Sequence, residues 1–183
     1  MRNALVLLIA ILLASPVVAG ELAGVKLDDS AQVGASNLVL NGMGLRTKLG
    51  FKVYVGGLYL GAKQSDPAKI LADDSARRTV MHFVRSVGSG KICDGWQEGL
   101  AGNTPSASAE VKKGFETLCS YTEDVSDGDQ MVFTYVPGTG TEVAVKGKSK
   151  GTIAGKPFAD ALFAVWIGPK PPTAELKKGL LGG

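Results

Sequence analysis

The sequence predicts an α+β domain, an antiparallel sheet with helices packed on one of its faces. Three observations predict it. Extended segments come in two blocks separated by two helical segments, and an apolar helix closes the second block. Turn signals such as Asn41-Gly42 and Pro137-Gly138-Thr139-Gly140 join neighbouring strands as hairpins do. The 183 residues make about one domain, and 45% hydrophobic with 20% charged residues excludes a disordered chain or a fibrous repeat.

The elements follow in order. Val25–Leu27 and Gln32–Val33 are short extended pieces around the turn Asp28-Asp29-Ser30, and Ser36–Leu40 is a strand that runs into the Asn41-Gly42 turn. Gly44-Leu45-Arg46-Thr47-Lys48 reads as a polar strand continuation. Phe51–Leu60 is the strongest strand. Bulk on both of its alternating faces predicts a central position covered on both sides, and Gly56-Gly57 marks a bulge or a close backbone approach. Asp66 caps a short helix that starts at Pro67 and runs to about Leu71. Ala76–Arg85 alternates as a strand. Lys91–Leu100 is a helix with Ile92, Trp96, Gly99 and Leu100 on one stripe, and Ser108–Cys119 is a second with Val111, Phe115 and Leu118. Gln130–Val136 and Thr141–Val145 form a hairpin, and Lys150–Ala154 is a further strand beyond Gly147-Lys148-Ser149. Pro157–Ile167 is an apolar helix ended by Gly168-Pro169, and Thr173–Leu181 a short basic tail helix.

Residues 1–19 have the layout of a secretory signal peptide. Arg2 is the positive start, Ala4–Leu13 is an unbroken apolar run, Ser15-Pro16 breaks it, and Val17-Val18-Ala19 supplies small residues before a cut. The apolar run is shorter than the ~18–20 residues of a membrane span, so cleavage after Ala19 is expected rather than anchoring. The mature chain is then Gly20–Gly183, periplasmic or secreted, with no transmembrane span. In an oxidising compartment Cys93 and Cys119 are expected to form one disulfide stapling the two middle helices; the alternative is two buried thiols packed as small apolar groups.

Several function classes fall away. The net charge of +3 is too small for nucleic acid as main partner. With one histidine, His82, and two cysteines, no metal site is expected, and no cofactor. Gly147-Lys148-Ser149 lacks the earlier glycine of a phosphate loop, since Glu142 stands there, and a β segment follows it. Gly42-Met43-Gly44 lacks the third glycine and the βαβ context of a dinucleotide fold. Asp127-Gly128-Asp129 is too short for a calcium loop. No nucleophile elbow accompanies His82, so hydrolase chemistry is not expected.

Two stretches carry a family resemblance: Leu40-Asn41-Gly42-Met43-Gly44-Leu45-Arg46 followed by Phe51–Leu60 (FKVYVGGLYL), and Phe158–Gly168 (FADALFAVWIG). A G-x-G-x-R segment before a strand ending in G-[VL]-Y-L, with a late helix reading F-x-x-A-[LF]-x-x-[IV]-[WY]-[LI]-G, resembles the chalcone isomerase superfamily in its bacterial, exported, chalcone isomerase-like branch. The resemblance covers most of the mature chain. It implies an open-faced β-sandwich, a large antiparallel sheet with helices over one face and a ligand cleft between them.

In the plant enzymes of that superfamily a chalcone phenolate adds to its own enone, the arginine of G-x-G-x-R polarises the carbonyl, and a threonine on the next strand assists. The arginine maps to Arg46 and the threonine position to Tyr54. An arginine with a tyrosine there looks like the non-catalytic fatty-acid-binding relatives, in which the two hold a carboxylate. The residues agree with that chemistry. A guanidinium beside an apolar strand offers a carboxylate two parallel donors, and the Tyr54 hydroxyl offers a third. The expected partner is a small amphipathic carboxylate bound by Arg46 and Tyr54. An isomerase acting on a chalcone-like enone is the alternative, and an envelope protein that binds a partner through its apolar helices a third reading. Arg46 paired with a remote Asp or Glu would instead be a structural residue.

Overall fold

The computed structural model describes residues 20–183; the leader expected over residues 1–19 lies outside them. The chain forms strands β1 (Gly20–Leu22), β2 (Val25–Leu27), β3 (Ser30–Val33), β4 (Ser36–Lys48) and β5 (Phe51–Leu60), helix α1 (Pro67–Ala72) and strand β6 (Arg77–Phe83). Helices α2 (Ser89–Asn103) and α3 (Ala109–Tyr121) follow, then β7 (Gln130–Val136), β8 (Gly140–Val145), β9 (Lys148–Ile153), α4 (Lys156–Ile167) and α5 (Ala174–Leu180). Strands β3 to β9 pair in sequence order as one seven-stranded antiparallel sheet, and β1–β2 is a separate ribbon. This is the α+β architecture that the segment order predicts.

Alternation along β5 explains its central place. Tyr54, Leu58 and Leu60 enter the large core under the helices, while Val55 and Tyr59 enter a smaller core on the other face, closed by Val25 and Leu27 of the β1–β2 ribbon. Burial of both faces from Tyr54 to Leu60 is why that stretch reads as apolar. Pairing is regular through Gly56-Gly57, so these glycines mark close approach and not a bulge: a Cβ on Gly57 would fall on the Leu27 side chain.

The helical layer rests on apolar stripes. Ile92, Trp96 and Leu100 of α2 and Val111, Phe115 and Leu118 of α3 are buried. The α4 helix is buried from Phe158 to Ile167 save Asp160, which fits its central position beneath α2 and α3. Cys93 and Cys119 are joined, closing a separation of 26 residues and stapling α2 to α3. The Asp66 side chain accepts from the Ala68 and Lys69 amides and caps α1. Among the described residues no helix is long and apolar enough to cross a membrane.

Several boundaries differ from the sequence reading. β4 is continuous from Ser36 to Lys48, so Asn41-Gly42 is no hairpin turn. α2 extends the Lys91–Leu100 reading at both ends; Gly88 at its start has no side chain, and the Asp124 carboxylate accepts from the Ser89 amide at 2.7 Å instead. β9 begins at Lys148, because Lys146 and Gly147, both at positive φ, make a tight turn alone.

Candidate functional site

Two bulges decide which side chains enter the space between sheet and helices. Leu38 and Leu40 belong to the outer core, and strict alternation would leave Gly42, Gly44 and Arg46 on that same face. Asn41 is an extra residue between the pairs Leu40–Tyr59 and Gly42–Leu58, and one extra residue reverses the facing of all that follows. Met43 and Leu45 therefore turn to the outer core. Gly42 and Gly44 press under α5, where a Cβ would fall on the carbonyl oxygens of Gly179 and Leu176, and Arg46 turns to the helix side. Asn41 is 1% exposed. It donates to the carbonyls of Gln64 (3.0 Å) and Leu180 (2.8 Å) and accepts from the Gln64 amide (2.8 Å). The turn signal is thus spent on tertiary hydrogen bonds.

The second bulge lies at Val53, between the pairs Arg46–Tyr54 and Thr47–Lys52. It lets Val53 and Tyr54, neighbours in sequence, both line the space under the helices. Arg46 and Tyr54 stand directly opposite each other across β4 and β5, with the guanidinium carbon 5.9 Å from the Tyr54 ring centroid.

That space is a cavity of about 240 Å³. Met81, Phe83, Ile92, Trp96 and Val165 give it apolar walls, and Lys91, Glu98 and Lys170 bring charge to it. It continues past Arg46, Val53 and Lys91 into an outer depression of about 390 Å³ beside the β4–β5 hairpin. Arg46 stands at the junction of the two. Ligand pockets commonly span ~300–1,000 Å³, so an acyl chain would need both.

The contrast with Arg77 shows what a structural arginine looks like here. Arg77 pairs with Asp160, donates to the carbonyls of Ile70 (3.0 Å) and Asp73 (3.2 Å), and lies between the rings of Tyr135 and Phe163. Among the described residues Arg46 has neither an ion pair nor carbonyl acceptors, and its guanidinium meets one ring, that of Tyr54. Among the described residues no carboxylate lies within 4.0 Å of its guanidinium; its buried Nε, like that of Arg77, has no hydrogen-bond partner. A cation without an adjacent carboxylate in a part-apolar cleft can take an anionic group as a charge-assisted partner.

Tyr54 complements it. Trp166 Nε1 of α4 donates to the Tyr54 hydroxyl at 3.1 Å, and the hydroxyl proton has no acceptor among the described residues. Burial, opposed by the Arg46 charge and the Trp166 bond, pushes the phenol up to about 12. The group therefore remains a donor at any physiological pH.

Sequence reasoning named Arg46 and Tyr54, and the structure brings them together. It missed Trp166 as the residue that orients Tyr54, because 112 positions separate them and an apolar helix reads only as core. His82 pairs with Val55, whose side chain is in the outer core, so it faces away from the cleft; its Nδ1 meets Gln130 at 3.0 Å. Among the described residues no group of three metal-binding side chains comes together.

Comparison with known proteins agrees with this architecture. Residues 19–182 match the model of a family described as chalcone isomerase-like. Among solved structures, a fatty-acid binding protein of Arabidopsis thaliana superposes with a TM-score of 0.69 at 16% identity, over 86% of this chain and 92% of that one. At that identity the likeness is one of fold. No curated protein sequence matches the chain.

Proposed function

The chain belongs to the chalcone isomerase-like family, and on that premise we propose that it is an exported, non-catalytic binding protein that holds a fatty acid or similar amphipathic carboxylate. One observation carries the reading: the Arg46 guanidinium, unpaired among the described residues, at the junction of an apolar cavity and its mouth. The carboxylate lies on Arg46 as a charge-assisted pair and takes a further hydrogen bond from Tyr54. The tail lies against Met81, Phe83, Ile92 and Val165, gaining ~0.8 kcal/mol per methylene buried. That a solved structure of the same fold is a fatty-acid binding protein supports the reading.

Mass spectrometry of lipids extracted from the purified protein tests it, with fatty acid in stoichiometric amount as the expected result and a lipid-free extract from protein that also fails to take up added laurate as the contrary one. The isomerase reading rests on the same Arg46, which can also polarise an enone carbonyl. Naringenin chalcone should close no faster with the protein than without it. Acceleration that disappears in Arg46→Ala would replace binding by catalysis.

A further inference from the structure

We propose that the tip of the β4–β5 hairpin is a docking element for an anionic phospholipid bilayer, set at the mouth of the cleft. Leu49 is 90% exposed and Phe51 62%, and they are the exposed large hydrophobic residues among those described. The pair Lys48–Phe51 leaves Leu49-Gly50 as a two-residue loop with φ of 53° and 80°. Both are left-handed positions, where asparagine or glycine fits without strain and without offering an apolar surface. Leucine there is unfavourable for the backbone and for solubility alike, so neither folding nor solubility accounts for it.

The surroundings of the tip are cationic. Lys48 and Lys52 flank the two apolar side chains and are exposed. Arg85 holds its guanidinium 5.0 Å from the Phe51 ring centroid, and Lys91 follows at the edge of the outer depression. The acidic members of that depression, Asp94 and Glu98, sit on α2 and not on the hairpin. An apolar wedge ringed by lysine and arginine matches a bilayer with negative headgroups: the wedge enters below the phosphates and the cations meet them. Two side chains on a turn are too little for a stable protein interface, which needs ~800 Å² from each partner.

Docking needs no bound ligand and stands apart from the binding reading. Its consequence rests on that reading: Leu49 and Phe51 line the same depression as Arg46, so a docked protein would open its carboxylate site toward the lipid.

Co-sedimentation with vesicles tests this, using phosphatidylcholine alone and phosphatidylcholine mixed equally with phosphatidylglycerol. The wild type should pellet with the mixed vesicles, less so in high salt, and little with phosphatidylcholine alone. Leu49→Ser with Phe51→Ser should weaken partitioning about tenfold or more, and so should Lys48→Glu with Lys52→Glu. Arg46→Ala should partition as the wild type does, so failure of the carboxylate site and failure of docking read separately. No pelleting, pelleting unchanged in both double variants, or a wild-type dimer dissolved by Leu49→Ser with Phe51→Ser would overturn the proposal.

Discussion

The indole of Trp166 donates to the hydroxyl of Tyr54 across 3.1 Å, leaving that hydroxyl a proton and no acceptor among the described residues. The bond runs from the central helix α4 to the central strand β5, and it holds a donor beside the unpaired Arg46 in the cleft. Tyr54→Phe removes both functions. The buried Trp166 N–H is left without a partner, so stability should fall by about 1–3 kcal/mol in urea unfolding. Laurate affinity should fall about tenfold in calorimetric titration. Unchanged values in both measurements would remove the hydroxyl from the account.

Asn41 aims Arg46 from a distance. Asn41→Ala leaves the Gln64 amide and the Gln64 and Leu180 carbonyls without their partner, and should lower stability by about 3 kcal/mol. If the bulge relaxes, Gly44 and Arg46 lose their facing, so laurate affinity should drop as well, although Asn41 does not line the cavity. A variant with full stability and full affinity would contradict the role assigned to the bulge.

Alkaline pH should unfold the protein through its tyrosines. Burial pushes Tyr54, Tyr59 and Tyr135 from 10.0 to about 12; the Asp28 charge adds to the effect at Tyr59, and the bond to Asp74 at Tyr135. A raised value in the folded state means a contribution complete below the ordinary phenol range and lost as pH rises through the folded one. For the fully buried Tyr54 this is about 3 kcal/mol. Stability should be flat up to pH 10 and fall between 10 and about 12, with tyrosinate absorbance delayed against unfolded protein. Titration of Tyr54, Tyr59 and Tyr135 in the ordinary phenol range would contradict it.

The Cys93–Cys119 bridge predicts no reactive thiol in denatured, unreduced protein; two would refute it. Replacing both with serine should lower stability by about 3 kcal/mol, as expected for a loop of this length.

Local pattern made β5 and the helical stripes legible, because burial on one or both faces leaves a period in the sequence. The Asn41-Gly42 signal misleads for a physical reason. Its turn preference is local, and three hydrogen bonds to Gln64 and Leu180 outweigh it. Arg46 and Tyr54 were reachable through the family motif, yet the facing of Arg46 depends on the Asn41 bulge and the tyrosine donor on Trp166. Neither is a property of the segment in which the residue sits. Phe51 reads from the sequence as the start of the strongest strand, and only the fold shows that it and Leu49 are exposed at a hairpin tip.

Calorimetric titration of laurate into the wild type, Arg46→Ala and Arg46→Lys tests the central claim most directly. A charge-assisted bond of about 1.5–3 kcal/mol predicts a loss of tenfold to more than a hundredfold for Arg46→Ala, an intermediate value for Arg46→Lys, which keeps the charge without the fork, and unchanged circular dichroism in all three. Equal affinity in the wild type and a folded Arg46→Ala variant would place the carboxylate elsewhere.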